Sequence, residues 1–292
     1  MINRLTIVGV GLIGGSLALA LKKAGFVGEI VGTSRREEHL KEAVSLGVID
    51  KYELDMAKAV EGADVVFLSV PLGAMEKVFS AIKPGLSANT IITDGGSAKG
   101  CLVSDARLAL GELPSGLVPG HPIAGTEKSG VSAAFAELYQ DRRVILTPLK
   151  SSEPEAVKMV EAMWEAAGAH VECMSVEHHD EVLAATSHLP HMLAFGLVDS
   201  LARMKDNDEI FKYAAGGFRD FTRIASSDPV MWRDICIHNR DALADMMQRY
   251  KDDLSEIEKA IREGNGDLLL EIFTRAKKSR DRFASLMDGS PE

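Results

Sequence analysis

The sequence predicts two domains, an α/β domain over residues 1–173 and an all-α domain over residues 174–292. Two observations predict this division. In the first part, short apolar runs rich in β-branched residues alternate with amphipathic stretches, which is the pattern of right-handed βαβ units in a doubly wound parallel sheet. From Ser175 onward no convincing strand occurs, and apolar residues recur at helical spacing.

Strands and helices follow one another along most of the first domain. The predicted strands are the apolar runs at residues 5–10, 29–33, 63–70, 90–94, 116–120, 142–148 and 169–174. The predicted helices are the amphipathic runs at residues 12–24, 36–47, 74–82, 97–110 and 152–168. Gly47 suits a helix C-terminus, and Pro71 ends the third strand because proline cannot donate to a sheet ladder.

The second domain is predicted to contain a few long amphipathic helices. They cover residues 175–204, 228–264 and 267–287, the second of these runs forming one helix or two. Pro190 is expected to kink the first of them, because proline removes a helical hydrogen bond and clashes with the preceding turn.

Charge and composition exclude several classes of protein. The formal net charge of −10 argues against a general nucleic-acid or membrane-surface binder. No apolar run is long enough to cross a bilayer, and the N-terminus enters a strand without the pattern of a signal peptide. The three cysteines are widely spaced, which fits a reducing compartment. We therefore expect a cytoplasmic protein.

A glycine-rich loop follows the first strand and opens the first helix. Gly9, Gly11 and Gly14 form the pattern GxGxxG, with Leu12 and Ile13 between the last two glycines. In this context the glycines let the backbone approach a pyrophosphate, and the helix N-terminus offers free N–H groups to it. The alternative is a turn that serves only helix–strand packing. The loop predicts a dinucleotide-binding domain of the Rossmann type.

The tip of the second strand bears on which dinucleotide is bound. It carries Ser34, Arg35 and Arg36, and an acidic residue arrives only at Glu37. A carboxylate at this place binds the ribose 2′-hydroxyl of NAD, whereas an arginine suits the 2′-phosphate of NADP. The cofactor is therefore NAD or NADP, and the charge favours NADP. In the alternative interpretation, both arginines belong to a solvated helix start.

Three further segments carry candidate site residues. Residues 93–100 follow a strand, and in a doubly wound sheet ligands bind at that edge. Residues 120–130 form an irregular loop around His121, a residue type suited to proton transfer. Residues 216–234 bring Arg219, Arg223 and Arg233 near aromatic side chains, a candidate clamp for an anion. The alternative for these arginines is pairing with nearby aspartates on a helix surface.

Four histidines lie close together in the second domain, at positions 178, 179, 188 and 191. Neither an HExxH pattern nor a cysteine at ligand spacing accompanies them. We therefore predict no metal site. For His178 and His179 the alternative to a functional role is hydrogen bonding at a helix N-terminus.

The motifs GVGLIGGS, DGGSAKG, GHPIAGTEKSG, SHLPH and GFRDFTRIASSDP occur in this order and together resemble the prephenate (or arogenate) dehydrogenase family. The resemblance implies oxidative decarboxylation of a cyclohexadienol to a phenol, with hydride transfer to NAD or NADP, for tyrosine synthesis. It also implies a homodimer that pairs through the helical domain.

The resemblance assigns roles to single residues. His121 matches the catalytic histidine, Ser97 a serine that holds it and the substrate hydroxyl, and Arg223 the arginine that binds a substrate carboxylate. His191 matches a position that selects prephenate, although dual specificity for arogenate stays open. Other matched positions line or brace the pocket, namely Thr126, His179, Ser187, His188, Gly216 and Trp232.

Two alternatives to this function come from other classes. One is a different Rossmann dehydrogenase with a helical C-terminal half, such as a β-hydroxyacid dehydrogenase or imine reductase. Such enzymes place a catalytic lysine or a tyrosine in the helical half, where this sequence has no comparable motif. The other is a dinucleotide-sensing regulator without turnover, which would need neither His121 nor Arg223.

Overall fold

The computed structural model describes residues 1–126, 128–205 and 207–287. It divides into two compact units, the first spanning Met1–Leu243 and the second beginning at Ala244. The first unit contains both sheets and the helices that follow them up to the start of the long helix at residue 240.

The first sheet has five parallel strands in the order β3-β2-β1-β4-β5. Helices connect the successive strands, as right-handed crossovers require. The elements are β1 (Ile2–Val8), α1 (Leu12–Lys23), β2 (Val27–Thr33), α2 (Glu37–Ser45), β3 (Lys51–Tyr52), α3 (Met56–Val60), β4 (Val65–Leu68), α4 (Met75–Ile82), β5 (Ile91–Asp94) and α5 (Gly100–Leu110). The prediction of a doubly wound α/β domain is confirmed.

Alternate residues of the central strands enter two separate cores, one on each face of this sheet. Val65 and Phe67 of β4 belong to one core, and Val66 and Leu68 belong to the other. Phe67 packs edge-to-face on Trp164, with ring centroids 5.6 Å apart. Because both faces are covered, the central strands are continuous apolar runs, which is why the sequence pattern predicted them.

The last three strands form a second sheet instead of extending the first. These strands are β6 (Gly120–Pro122), β7 (Arg143–Leu146) and β8 (His170–Cys173), and α6 (Pro154–Ala166) connects β7 to β8. β6 runs antiparallel to β7, and β7 runs parallel to β8. The predicted strand at residues 116–120 is reduced to a single bridge from Leu117 to Ile92, and the chain then crosses into the second sheet.

The helical part begins with an interrupted helix. α7 (Val176–Leu183) passes into one π-helical stretch, Ala184–His188, and then into α8 (Leu189–Ala202). Pro190 lies in the first turn of α8, where a missing N–H costs little. The irregularity predicted at Pro190 is therefore a widened turn just before it. Such turns are frequent at functional sites.

Five further helices complete the described chain. They are α9 (Asn207–Lys212), α10 (Gly216–Thr222), α11 (Pro229–His238), α12 (Arg240–Glu263) and α13 (Gly266–Met287). The run predicted as one or two helices at residues 228–264 is two, since the helix is interrupted at Asn239. No strand follows Cys173 in the described residues, as predicted. Among the helices of those residues, none is long and apolar enough to cross a membrane.

Candidate active site

The glycine loop between β1 and α1 has the geometry of a pyrophosphate cradle. Gly9 has φ +94°, and a Cβ there would lie 2.6 Å from the carbonyl oxygen of Ser69. A Cβ on Gly14 would collide with the Ser69 hydroxyl, whereas one on Gly11 would enter open space. No acidic residue and no side-chain cap occupies the first turn of α1. The loop thus keeps its helix N-terminus open to an anion.

The two residues between the last glycines play a packing role. Leu12 is buried, and the carbonyl oxygen of Ile13 accepts a 2.6 Å hydrogen bond from the Tyr139 hydroxyl. Their backbone shapes the loop, and the side chain of Leu12 belongs to the core of the first sheet. The arrangement fits the pyrophosphate of a dinucleotide.

The tip of β2 presents a hydroxyl and two exposed guanidinium groups. The Ser34 hydroxyl lies 3.2 Å from the carbonyl oxygen of Arg36, and Arg35 and Arg36 are exposed. The Glu37 carboxylate accepts a hydrogen bond from the Tyr52 hydroxyl at 2.8 Å and pairs with Lys41 at 3.1 Å. The nearest acidic side chain of this segment is therefore engaged away from the tip of the strand.

A chain of hydrogen bonds orients His121 at the start of the second sheet. Nδ1 of His121 lies 2.9 Å from Nε2 of His179, and Nδ1 of His179 lies 2.8 Å from Oδ1 of Asp180. A carboxylate can only accept, so Nδ1 of His179 carries a proton and its Nε2 is an acceptor. His121 must then donate through Nδ1. Its Nε2 is left with a lone pair, as a general base requires.

Burial keeps the His121 ring neutral. The side chain is 8% exposed, and this burial lowers its pKa well below 6.5, with further lowering by electrostatic interactions with His179, Lys99 and His188. A buried imidazolium would lose hydration and meet neighbouring positive charge. The unprotonated form therefore predominates at neutral pH.

Asp180 connects the helical part to the α/β part. Its two carboxylate oxygens accept the backbone N–H groups of Lys99 at 2.9 Å and Gly100 at 2.8 Å, where α5 begins. Burial raises the pKa of Asp180, but its hydrogen bonds from His179, Lys99 and Gly100 outweigh this, and the net pKa is lowered. The carboxylate that fixes the His179 tautomer is thus itself held by the start of α5.

His188 lies beside this chain with a fixed tautomer. Its Nδ1 accepts a 3.0 Å hydrogen bond from the Asn239 amide, whose nitrogen also donates to the carbonyl oxygen of Asp180. Nε2 must therefore carry the proton, and it is buried without a partner among the described residues. Burial lowers the pKa of His188 to about 4. His188 is thus a neutral ring whose one N–H group is at Nε2.

His191 and Trp232 form a stacked pair at the far side of the widened turn. Their ring centroids are 3.6 Å apart with an interplanar angle of 20°, and Nδ1 of His191 donates to the Ser187 carbonyl oxygen at 2.9 Å. Burial lowers the pKa of His191, and the Arg223 charge lowers it further. The Trp232 ring and the Arg223 charge therefore both lie close to His191.

Other predicted residues take different places. Thr126 is exposed and lines a cavity of about 390 Å³ with Phe135 and Arg142, and none of the other predicted site residues lines that cavity. Gly216 is exposed at the start of α10. Ser97 is half-buried, and within the described structure its hydroxyl makes no hydrogen bond to His121. Nδ1 of His121 is instead hydrogen-bonded to His179.

The histidine cluster does not assemble a metal centre. In the described ranges, no group of three or more histidine, cysteine or carboxylate side chains has an arrangement that could hold a metal ion. His178 is exposed near the start of α7, where its backbone N–H donates to the Ser175 hydroxyl.

Family models match almost the whole chain. Residues 17–173 match the nucleotide-binding domain of prephenate dehydrogenase, and residues 175–275 match its dimerization domain. The chain belongs to the prephenate dehydrogenase family. It is therefore an oxidoreductase with a nucleotide-binding domain, and the family resemblance of the motifs is confirmed.

Relatives within the prephenate dehydrogenase family agree over nearly the full chain. A cyclohexadienyl dehydrogenase of Zymomonas mobilis is 40% identical over 95% of both chains. A prephenate dehydrogenase of Bacillus subtilis is 36% identical over 96% of this chain and 76% of its own length. Prephenate dehydrogenase from A. aeolicus, solved with hydroxyphenyl propionate and NAD+, has a TM-score of 0.91 at 40% identity, covering 97% of this chain and 99% of its own.

Sequence reasoning missed several residues that shape this candidate site. Asp180 and Asn239 were not candidates, and Asp94 and Lys99 were included only as part of the segment 93–100. All four are buried and hydrogen-bonded around the histidines. Asp180 directly follows His179, and a carboxylate next to a candidate histidine was the signal available. Asn239 lies 51 residues from its partner His188, so no local pattern could have revealed the contact.

Proposed function

We propose that the protein oxidatively decarboxylates prephenate to 4-hydroxyphenylpyruvate with hydride transfer to a nicotinamide dinucleotide, in tyrosine synthesis. The observation that carries the proposal is the buried, neutral His121, whose Nε2 is left as an acceptor by the chain from Asp180 through His179. Family membership supports the same reaction.

His121 serves as the base in this mechanism. Its Nε2 takes the proton of the ring hydroxyl while the carbinol carbon loses hydride. CO₂ then leaves the quaternary carbon, and the electrons of the broken bond make the ring an aromatic phenolate, which takes the proton back from His121. The bound dinucleotide supplies the hydride acceptor. His179 and Asp180 stabilise the imidazolium that forms on His121, because the negative carboxylate of Asp180 lies at the other end of this chain of hydrogen bonds. General-base assistance of this kind contributes about 10²–10⁴-fold in rate.

Arg223 binds a substrate carboxylate in this proposal. It lies close enough to His191 for its charge to lower the pKa of that ring, so an anion there meets a guanidinium and a histidine together. Trp232 stacks on His191 and fixes its plane. Ser97 remains predicted to hold His121 and the substrate hydroxyl. The other predicted positions that line or brace the pocket are Thr126, Ser187, His188 and Gly216.

The preference between NAD and NADP rests on two opposed observations. The exposed Arg35 and Arg36 beside Ser34 favour a 2′-phosphate on charge, which is the basis of the predicted lean to NADP. The A. aeolicus relative is described with NAD+ bound. The proposed cofactor is therefore NAD or NADP, and kinetics with each will decide between them.

We further propose a cytoplasmic homodimer with a dinucleotide-binding domain at residues 1–173 and a substrate and dimerisation domain at residues 174–292. The matched dimerization domain supports the pairing. In addition, α10 has no buried residue in the single chain, and Phe221 and Met231 are exposed. A sedimentation experiment that finds only monomer at micromolar concentration would contradict the dimer.

The proposed function is tested by initial rates of nicotinamide reduction. Prephenate and arogenate are each crossed with NAD and NADP. Arogenate is the second candidate substrate because the Z. mobilis relative is named for cyclohexadienyl substrates in general. The expected result is turnover of prephenate with at least one dinucleotide. Folded protein that binds a dinucleotide but is silent in all four assays would refute the proposal.

A further inference from the structure

Lys99 is a fully buried ammonium group at the start of α5. Its Nζ pairs with Oδ2 of Asp94 and donates to the Gly120 carbonyl oxygen at 2.6 Å. Oδ1 of Asp94 accepts the backbone N–H of Gly120 at 3.0 Å. One buried ion pair therefore holds both polar groups of the residue that precedes His121.

The Lys99 side chain thus supports the His121 backbone, and the Lys99 main chain contributes to a second support, that of the His121 ring. Its backbone N–H donates to Oδ1 of Asp180, the oxygen that also accepts from His179. The His121 backbone is thus anchored through Gly120 to the Lys99 side chain, and its ring is anchored through His179 and Asp180 to the Lys99 backbone. Both supports meet at one residue.

Stability alone does not explain this ion pair. Removing two charges from water costs about as much as their attraction returns, so a hydrophobic pair of similar volume often serves the fold as well. A buried pair that grips one defined peptide group can instead fix the position of the next side chain.

We propose that Lys99 is a positioning residue for the reaction, holding the main chain before His121 through Asp94 and Gly120 and supporting the His121 ring through Asp180 and His179. This inference rests on the proposed function, in which His121 is the base.

The ionisable groups around His121 come from four segments. α7 provides His179 and Asp180, the widened turn provides His188, the end of β5 provides Asp94, and the start of α5 provides Lys99. Burial lowers the pKa of His121 most, followed by His179, Lys99 and His188. Among these residues, Lys99 supplies the positive charge, and this charge does not depend on the tautomers of the histidines.

The test is Lys99→Met in the full-length protein, with kcat and KM measured against pH and the His121 pKa measured by NMR without substrate. We expect kcat to fall at least about tenfold from the misplaced base. The KM values for prephenate and for the dinucleotide should stay within about twofold of wild type, because the groups proposed to bind them are unchanged. Two pKa values should rise by roughly half a unit or more, because a cation has been removed. One is the pKa on the acid side of the kcat–pH profile, and the other is the His121 pKa measured by NMR. Lys99→Arg, which keeps the charge, should have the wild-type values of both pKa measurements.

The matched control is Lys22→Met. Lys22 also bonds one carboxylate and one backbone carbonyl, those of Asp50 at 2.7 Å and Gly47 at 3.0 Å. It should leave kcat and the pH profile unchanged. If the single variant does not fold because Asp94 is left unpaired, the double variant Asp94→Asn with Lys99→Met removes both charges. Its upward shift should be smaller than that of Lys99→Met, because the loss of the Asp94 charge opposes the loss of the Lys99 charge.

The outcomes separate this inference from the proposed function. A variant with lower kcat but unchanged acid limb and unchanged His121 pKa would overturn the inference, because Lys99 would then act only on the fold. Wild-type protein without turnover would refute the proposed function, and the NMR pKa of Lys99→Met would still show whether Lys99 controls the His121 charge.

Discussion

Replacing Asp180 by asparagine tests the hydrogen-bond chain that orients His121. Its carboxylate accepts three hydrogen bonds, from Lys99 N–H, Gly100 N–H and Nδ1 of His179, all between 2.8 and 2.9 Å. An amide has only one accepting oxygen, so its NH₂ group must face a donor in either orientation. One lost hydrogen bond to a charged group should cost about 1.5–3 kcal/mol in the free energy of unfolding.

The effect of Asp180→Asn on catalysis should exceed its effect on the fold. If the NH₂ group faces His179, that ring changes tautomer and His121 loses its acceptor at Nδ1. A comparable asparagine substitution in the Ser-His-Asp triad lowers kcat about 10⁴-fold, and if the oxygen faces His179 the loss is smaller. We expect kcat to fall at least about 100-fold. The assay is the initial rate of nicotinamide reduction at saturating substrate and dinucleotide, alongside thermal unfolding.

Asp64→Asn is the control for this experiment. Asp64 Oδ2 accepts the backbone N–H groups of Asn3 at 2.6 Å and Arg4 at 3.2 Å, without a histidine partner. Its substitution should lower stability and leave kcat intact. If Asp180→Asn retains kcat within about threefold of wild type although NMR shows that His179 has changed tautomer, the tautomer argument is wrong and another group must orient His121.

Four other predictions follow from the same geometry. His121→Asn should abolish turnover while dinucleotide binding persists, and wild-type kcat should stay level as the pH falls to 6.5, because the folded pKa of His121 lies well below that value; near-normal activity of the variant would remove the base assignment. Arg223→Ala should raise the substrate KM by about 10- to 150-fold, the equivalent of one charged hydrogen bond, and an unchanged KM would move the clamp to Arg219. Gly11→Ala should fold normally, because its Cβ enters open space, but bind the dinucleotide more weakly, whereas Gly14→Ala should also destabilise the protein by collision with Ser69; equal thermal stability of the two variants would contradict this. Because the folded pKa of Asp180 is lowered from 3.8, its contribution is present above pH 3.8 and lost as the pH falls through the folded pKa, so the unfolding free energies of wild type and Asp180→Asn should converge in acid.

Local patterns predicted the elements whose burial is regular. β1 and β4 are covered on both faces, so their residues are apolar without interruption, and α1 is opened by glycines whose spacing is itself diagnostic. β3 has two residues, too few to show a pattern, and it was not predicted. The strand expected at residues 116–120 became one bridge, because the chain crosses there to a second sheet.

The sequence by itself determined the α/β and helical parts, the glycine loop, and the identity of His121, Arg223, His191 and Trp232 as candidates, because each belongs to a contiguous motif. Only the tertiary structure decided that His179 and Asp180 orient His121, across a gap of 58 residues. It also decided the tautomers of His121 and His188, and the burial of Lys99 with Asp94. Hydrogen-bond direction and desolvation depend on which groups are in contact in the folded protein. Local sequence patterns do not predict contacts between residues that are far apart along the chain.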